Sequence, residues 1–358
     1  MRINFNAPIN TLSFGHVATN LLHAAFKAGV DVNLFPIGNP DISAYNYGHD
    51  FRVWLGDSMS KARKDYCASD KSFKLWHLNG CENGTGDNRA LITFHELSSL
   101  TPTEVNLANQ QGSTYVTSRY TERVFKDAGV TNVKYLPLGF DSLHFNKIEG
   151  ARSFASDCNI VFGLFGKWEK RKHTKEVIQA WVEKYGGKQG FKLNLNVFNP
   201  HLEPAHNDRL LLDALGGQRV WNVNPHPFYK TLAELNSCIN ACDVVLDMSG
   251  GEGFSIPSFT ATALGKQAVL SNFSSLADWG PQGGGIMVPA GLMEDAYDGH
   301  FFMKGQEFNQ GQIASFNKQG FLDGCAEAAA LAKFGPNQKG LGLKQEWTWE
   351  KTLATLLN

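Results

Sequence analysis

Glu252 stands inside the run Gly250-Gly-Glu-Gly-Phe-Ser-Ile-Pro257, and a carboxylate set among glycines at the mouth of a helix is a site for polyols and anions. Unpaired N–H groups over 253–256 would draw phosphate or hydroxyl oxygens, and the carboxylate would accept hydrogen bonds from sugar hydroxyls. Such a pair suits a phosphorylated sugar. A plain strand-to-helix turn with an acid at the helix start accounts for the same letters, and both readings stay open. A second cluster carries charge: Lys167, Lys170, Arg171 and Lys172 crowd one turn. They repel one another unless water screens them or an anion lies among them, and a diphosphate brings about two charges. The third candidate is His95, which follows the apolar run Ala90–Phe94, although a lone histidine is often a core hydrogen-bonder.

The elements that must hold these groups read as repeated strand–turn–helix units. Val244, Val245 and Leu246 form a short β-branched run of the kind buried on both faces in parallel sheets, and Ala268-Val-Leu270 reads as its neighbour. Between them, Gly250, Gly251 and Gly253 supply backbone freedom, Ser255 caps a helix, Pro257 fits its first turn and Gly265 ends it. Asn159–Phe165 precedes the cation cluster in the same manner, so Glu252, His95 and the cations all fall beyond the carboxyl ends of strands, where open α/β sheets bind ligands. Arg2–Ala7 opens the chain as a strand, followed by a loop and a helix; without a full G-x-G-x-x-G, a dinucleotide fold has little support. Phe51–Leu55 and Phe73–Leu78 are read as short strands. Lys61, Arg63, Lys64, Lys71 and Lys74 lie in and between them with Tyr66 and Phe73, a cluster for phosphates or headgroups or a solvated helix face.

A chain of 358 residues suits two domains of roughly 150–180 residues each. With 42% hydrophobic and 19% charged residues and a net charge of −1, it is globular and has no global attraction to nucleic acid or anionic membrane. The six cysteines lack metal spacing and are expected to be reduced thiols. No apolar run approaches a membrane span and no signal peptide is evident, so a cytoplasmic protein is expected.

The run Glu-Gly-Phe-Ser-Ile-Pro-Ser-Phe followed by Thr-Ala-Thr-Ala-Leu-Gly resembles the Glu-x7-Glu region of GT-B glycosyltransferases, specifically the retaining family 4. Glu252 matches the first glutamate, and the position of the second is Thr260. The family's Gly-Arg…Lys-Gly cations match Lys167 and Lys172; Pro137–Phe145 is similar to the close of its N-domain, and Trp349-Glu-Lys-Thr to its terminal helix. The resemblance implies two facing Rossmann-like, doubly wound domains with a cleft between them. These would be residues 1–150 on the acceptor side, 151–340 for the nucleotide sugar, and a helix in 341–358 crossing back, with 146–157 as linker. It implies transfer of a sugar from a nucleotide diphosphate sugar, the co-substrate, to an acceptor hydroxyl with retention, and neither metal nor other cofactor. His95, Glu252, Lys167 and Lys172 would be the catalytic set. Gly15, Arg171, Gly251, Gly253, Phe254, Ser255, Ile256 and Thr260 would bind the donor, Asn10, Phe14 and His16 would lie by the cleft, and His226 and Tyr229 near the base. Acceptors in view are a glycan, a lipid-linked sugar or a modified base of phage DNA; a non-catalytic relic that only binds its ligand is the rival.

Overall fold

The computed structural model describes residues 1–148, 151 and 158–358, and it divides into two compact units. The first contains Met1–Asp141, Lys304–Gly311 and Trp347–Asn358, the second Ser142–Met303 and Gln312–Glu346. Of the expected linker, positions 149–150 and 152–157 lie outside the described residues.

Unit 1 is a parallel sheet wrapped by helices. In chain order it runs β1 (Arg2–Pro8), α1 (Ser13–Lys27), β2 (Asp31–Ile37), α2 (His49–Ala62), β3 (Lys71–Leu75), β4 (Arg89–Thr93), α3 (Pro102–Asn109), β5 (Ser113–Val116), α4 (Arg119–Asp127) and β6 (Val133–Tyr135). The strand order β2-β1-β3-β4-β5-β6 reverses between β1 and β3, so the loops after those strands flank a topological switch point. One expectation fails here: Phe51–Leu55 is not a strand but the start of α2. Its alternating apolar residues mislead because Val53 is 47% exposed, whereas Phe51, Leu55, Ser58 and Ala62 are buried with helical spacing.

Unit 2 repeats the architecture. It runs β7 (Ile160–Phe165), a 3₁₀ turn (Lys170–Lys172), α5 (Thr174–Tyr185), β8 (Phe191–Asn196), α6 (Pro204–Ala214), β9 (Val223–Pro225), α7 (Leu232–Asn240) and β10 (Val244–Asp247). There follow α8 (Ile256–Ala263), β11 (Gln267–Ser271), α9 (Leu276–Trp279), β12 (Ile286–Val288), an antiparallel pair β13 (Met293–Asp295) and β14 (Gln312–Ala314), α10 (Lys318–Ala332) and α11 (Gln338–Glu346). The strand order β12-β11-β10-β7-β8-β9 is parallel throughout and reverses between β7 and β10. Phe162, Trp181, Val244 and Leu246 are buried in its core.

The last helix, α12 (Trp349–Leu357), belongs to unit 1. Leu353 and Leu356 face Leu21, Leu22 and Ala25 of α1, and Thr352 Oγ1 donates to the Pro137 carbonyl at 2.7 Å. Thr348 caps the helix, its side chain accepting from Lys351 N–H.

Candidate functional site

The switch point of unit 2 carries the charged cluster. Gly166 to His173 leave β7 and Met248 to Ser255 leave β10, and backbone hydrogen bonds stitch the two loops together: Gly250 N–H donates to the Arg171 carbonyl at 2.7 Å, and His173 Nδ1–H to the Met248 carbonyl at 2.8 Å. The glycine at 250 is there for space. Its φ is ordinary, but a Cβ would lie 2.1 Å from the Ala314 carbonyl oxygen, which corrects the expectation that this run is glycine for backbone freedom. The residue that adopts a left-handed backbone is Ser255, with φ 65°.

Ser255 also does not cap α8. Its hydroxyl donates to Asp247 Oδ2 at the end of β10, joined there by Ser258 Oγ at 2.7 Å, while Ser249 Oγ and Ser249 N–H reach Asp247 Oδ1 at 2.6 and 3.2 Å. A carboxylate that is 6% exposed needs such partners. Three hydroxyls and an amide fix the turn from beneath.

Above it, Arg171 Nη1 donates to the Gly251 carbonyl at 2.8 Å and lies 3.0 Å from Glu252 Oε1; Lys172 Nζ pairs with the same oxygen, and Ser249 Oγ is 3.1 Å away. Glu252 N–H donates to Ser274 Oγ at 2.9 Å. Arg171 Nη2 reaches Glu169 Oε2 at 2.8 Å and Lys167 Nζ reaches Glu169 Oε1 at 3.1 Å. Burial pushes the Glu169 carboxyl up, but Arg171, Lys167 and Lys172 outweigh it and hold it down at about 2. The anions among the crowded cations are therefore the protein's own Glu169 and Glu252. Lys170 leaves the group: its Nζ donates to the carbonyls of Asp295 at 2.6 Å and Tyr297 at 3.3 Å.

Lys167, Arg171, Lys172, Gly251, Glu252 and Ser255 are thus brought together. Gly253 and Ile256 follow in the same turn, but Phe254 packs its buried ring on Phe259 at 5.0 Å, and Thr260 sits 3% exposed within α8. His226 and Tyr229 lie beyond β9, with ring centroids 6.0 Å apart. Sequence reasoning passed over Glu169, Asp247, Ser249 and Ser274. An acid between Leu246 and Met248, at the end of a buried strand, was the available signal for Asp247.

Unit 1 holds a cavity of about 480 Å³ beside its own switch point. Trp76 to Gly80 after β3, Phe94 to Glu96 after β4, Glu104, and Phe308 and Asn309 from the segment 304–311 line it. Phe14 lies by these residues, 4.5 Å from His77 and 4.9 Å from Phe94 between ring centroids. His95 is 3% exposed; its Nε2–H donates to the Ser99 carbonyl at 3.0 Å, and Thr121 Oγ1 donates to the His95 carbonyl at 3.0 Å. Burial pushes the imidazolium down, against an upward pull from Glu104 and Glu96. Gly15 cannot carry a side chain, because a Cβ would lie 2.3 Å from the Asn10 carbonyl oxygen. His16 is buried beside Asn20 and Asp141, its Nε2 3.3 Å from Asn20 Nδ2.

Three cations of the basic cluster over 61–74 are engaged separately within the protein. Lys61 pairs with Asp31, Lys71 Nζ donates to the Leu357 carbonyl at 3.0 Å, and Lys74, 4% exposed, donates to the carbonyls of Gly80 at 2.6 Å and Asn83 at 3.0 Å. Among the described residues, no group of three or more His, Cys, Asp or Glu could hold a metal ion, and no helix is long and apolar enough to cross a membrane.

The fold is the GT-B fold of glycosyltransferases, with two α/β units of six parallel strands each. The chain is similar to sucrose-phosphate synthase from Thermosynechococcus elongatus, with a TM-score of 0.71 and 13% identity over 99% of this chain and 97% of that one. It is similar to HepE of Anabaena, solved with UDP and glucose, with a TM-score of 0.64 and 15% identity over 100% and 99%. WaaG, a glycosyltransferase involved in lipopolysaccharide biosynthesis, matches with a TM-score of 0.60 and 10% identity over 99% of both chains. No protein-family model and no curated protein sequence matches the chain.

Proposed function

We propose that this protein transfers a sugar from a nucleotide diphosphate sugar to an acceptor hydroxyl, with retention of anomeric configuration and without a metal ion. The observation that carries the reading is the convergence of Arg171 and Lys172 on one oxygen of Glu252 at the switch point of unit 2. Breaking the bond between the sugar and the diphosphate leaves negative charge on the leaving phosphate, and fixed cations beside it lower that barrier. Lys172, Arg171 and Lys167 would take the diphosphate, doing the work a metal does elsewhere. Among the described residues the side-chain contacts to Glu252 end on Oε1, so Oε2 would be the acceptor offered to a donor-sugar hydroxyl. The fold supports the reading, and HepE has been solved with UDP-glucose. The aromatic cavity of unit 1, with His95 in its wall, is the candidate acceptor site. With Lys61, Lys71 and Lys74 engaged within the protein, the 61–74 cations lend little support to a nucleic-acid acceptor.

The test is donor hydrolysis in the presence of chelator. UDP-, ADP-, GDP- and dTDP-glucose are incubated with the protein, and nucleotide release and the anomer formed are followed by proton NMR. Slow release of nucleoside diphosphate with the starting anomer retained is expected. Donor binding without release, even when acceptor sugars are added, would make the protein a binder and overturn the enzyme reading.

A further inference from the structure

Three cations, Lys167, Arg171 and Lys172, face two carboxylates, Glu169 and Glu252, in direct ion pairs. The two acids are placed differently. Glu169 is held through both oxygens, Oε1 by Lys167 and Oε2 by Arg171, so it is a fixed part of the scaffold. Among the described residues Glu252 is held through Oε1, by two cations that a diphosphate would need and by Ser249 Oγ at 3.1 Å. An anion entering this corner therefore competes with Glu252 for Lys172 and Arg171.

Resting on the nucleotide-sugar reading of this site, we infer that Glu252 discriminates donor from spent nucleotide: it is a built-in rival for the diphosphate that a bound sugar compensates and the product does not. A sugar nucleotide has both phosphates esterified and carries two charges. Its sugar hydroxyls donate to the carboxylate, returning what Glu252 loses when Lys172 turns to the phosphate. The released nucleoside diphosphate has no such hydroxyl. It also exposes a terminal phosphate whose second ionisation falls near pH 6, which adds negative charge against the same carboxylate. Glu252 thus favours departure of the product from a cation cluster that would otherwise retain it.

Calorimetry on the full chain tests this with UDP, UDP-glucose and inorganic pyrophosphate, the last independent of the base; ADP and GDP with their glucose derivatives run in parallel. In Glu252→Gln, which keeps shape and removes charge, UDP and pyrophosphate should bind tenfold or more tightly than in the wild type. UDP-glucose should gain less, so the preference for donor over product collapses. Glu252→Asp, which draws the carboxylate back by one methylene, should fall between the two and serves if Glu252→Gln does not fold. Unchanged or weaker binding of UDP and pyrophosphate in a folded Glu252→Gln protein would overturn the inference while leaving the site reading intact. If neither protein binds any of these ligands, the nucleotide-sugar reading itself falls, and the inference with it.

Discussion

Replacing Lys172 with alanine separates a phosphate-binding cation from one that only neutralises the scaffold. Lys172 Nζ sits on Glu252 Oε1, and the Lys172 side chain is 14% exposed, so its charge is only partly screened. A charged hydrogen bond to phosphate is worth about 1.5–3 kcal/mol net. The bare Coulomb term, about 4 kcal/mol at 4 Å with an effective dielectric of 20, is an upper bound. Two features hold the effect at the lower range: Arg171 remains on the same side of Glu252, and Lys172 must leave Glu252 before it can serve a phosphate. Donor and nucleoside diphosphate affinity should therefore fall by roughly 10- to 150-fold. Lys170→Ala is the internal control, since its Nζ is engaged with the carbonyls of Asp295 and Tyr297 and its loss should change donor affinity less than twofold. Titration calorimetry with donor and with acceptor reads both. Unchanged donor affinity in a folded Lys172→Ala protein, or equal losses in the two variants, would refute the placement of the diphosphate.

Glu169 predicts a pH dependence of stability. Its carboxyl is held at about 2 against 4.5 for the free side chain, so the folded state binds its proton later than the unfolded one. The stabilisation is complete above pH 4.5, about 3 kcal/mol, and drains away as pH falls toward 2. Urea unfolding of wild type and Glu169→Gln should differ at pH 6 and converge in acid; parallel curves would refute it. If Thr260 stands where the resembling family carries its second glutamate, one short hydroxyl would face the ribose in place of a two-oxygen acceptor, and weak selectivity at the ribose is expected. A 2′-deoxy form of the preferred nucleotide should bind within threefold of the ribose form, and a tenfold loss would show that another group holds the ribose.

Much of the site was legible because strand ends are. Apolar runs at 90–94, 159–165 and 244–246 place His95, the cations and Glu252 beyond the carboxyl ends of β4, β7 and β10, where they are found. What stayed hidden were partners supplied by side chains of ordinary type. Glu169 was in plain view within the cation run, yet an acid beside four bases reads as surface alternation until Arg171 is seen to be 7% exposed. Phe308 and Asn309 line a cavity with Trp76 and His95 although their segment has no periodicity, and only the fold brings 304–311 into unit 1. The misread at 51–55 has the same cause: five residues cannot tell alternation from one face of a helix that extends to Ala62.

The Asp247 network explains why the turn can depart from its expected chemistry and still hold Glu252. A non-glycine residue in the left-handed region costs roughly 1–2 kcal/mol, and Ser255 at φ 65° bears that strain at the point where β10 hands over to α8. Its hydroxyl bonds to Asp247, and a charge-assisted hydrogen bond of about 1.5–3 kcal/mol offsets a strain of that size. The same carboxylate holds Ser249, whose Oγ lies 3.1 Å from Glu252 Oε1, so the acid at the strand end helps to place the equally buried Glu252 through one shared hydroxyl. Ser274 fixes the Glu252 backbone from the far side of the turn. Glu252 is thus constrained at its amide and at one carboxylate oxygen before any ligand arrives, which is the preorganisation a binding carboxylate needs. The constraint comes from the Asp247 carboxylate and the hydroxyls of Ser249, Ser255 and Ser274, so the position of Glu252 in this chain rests on side chains where a run of glycines alone would leave the turn free.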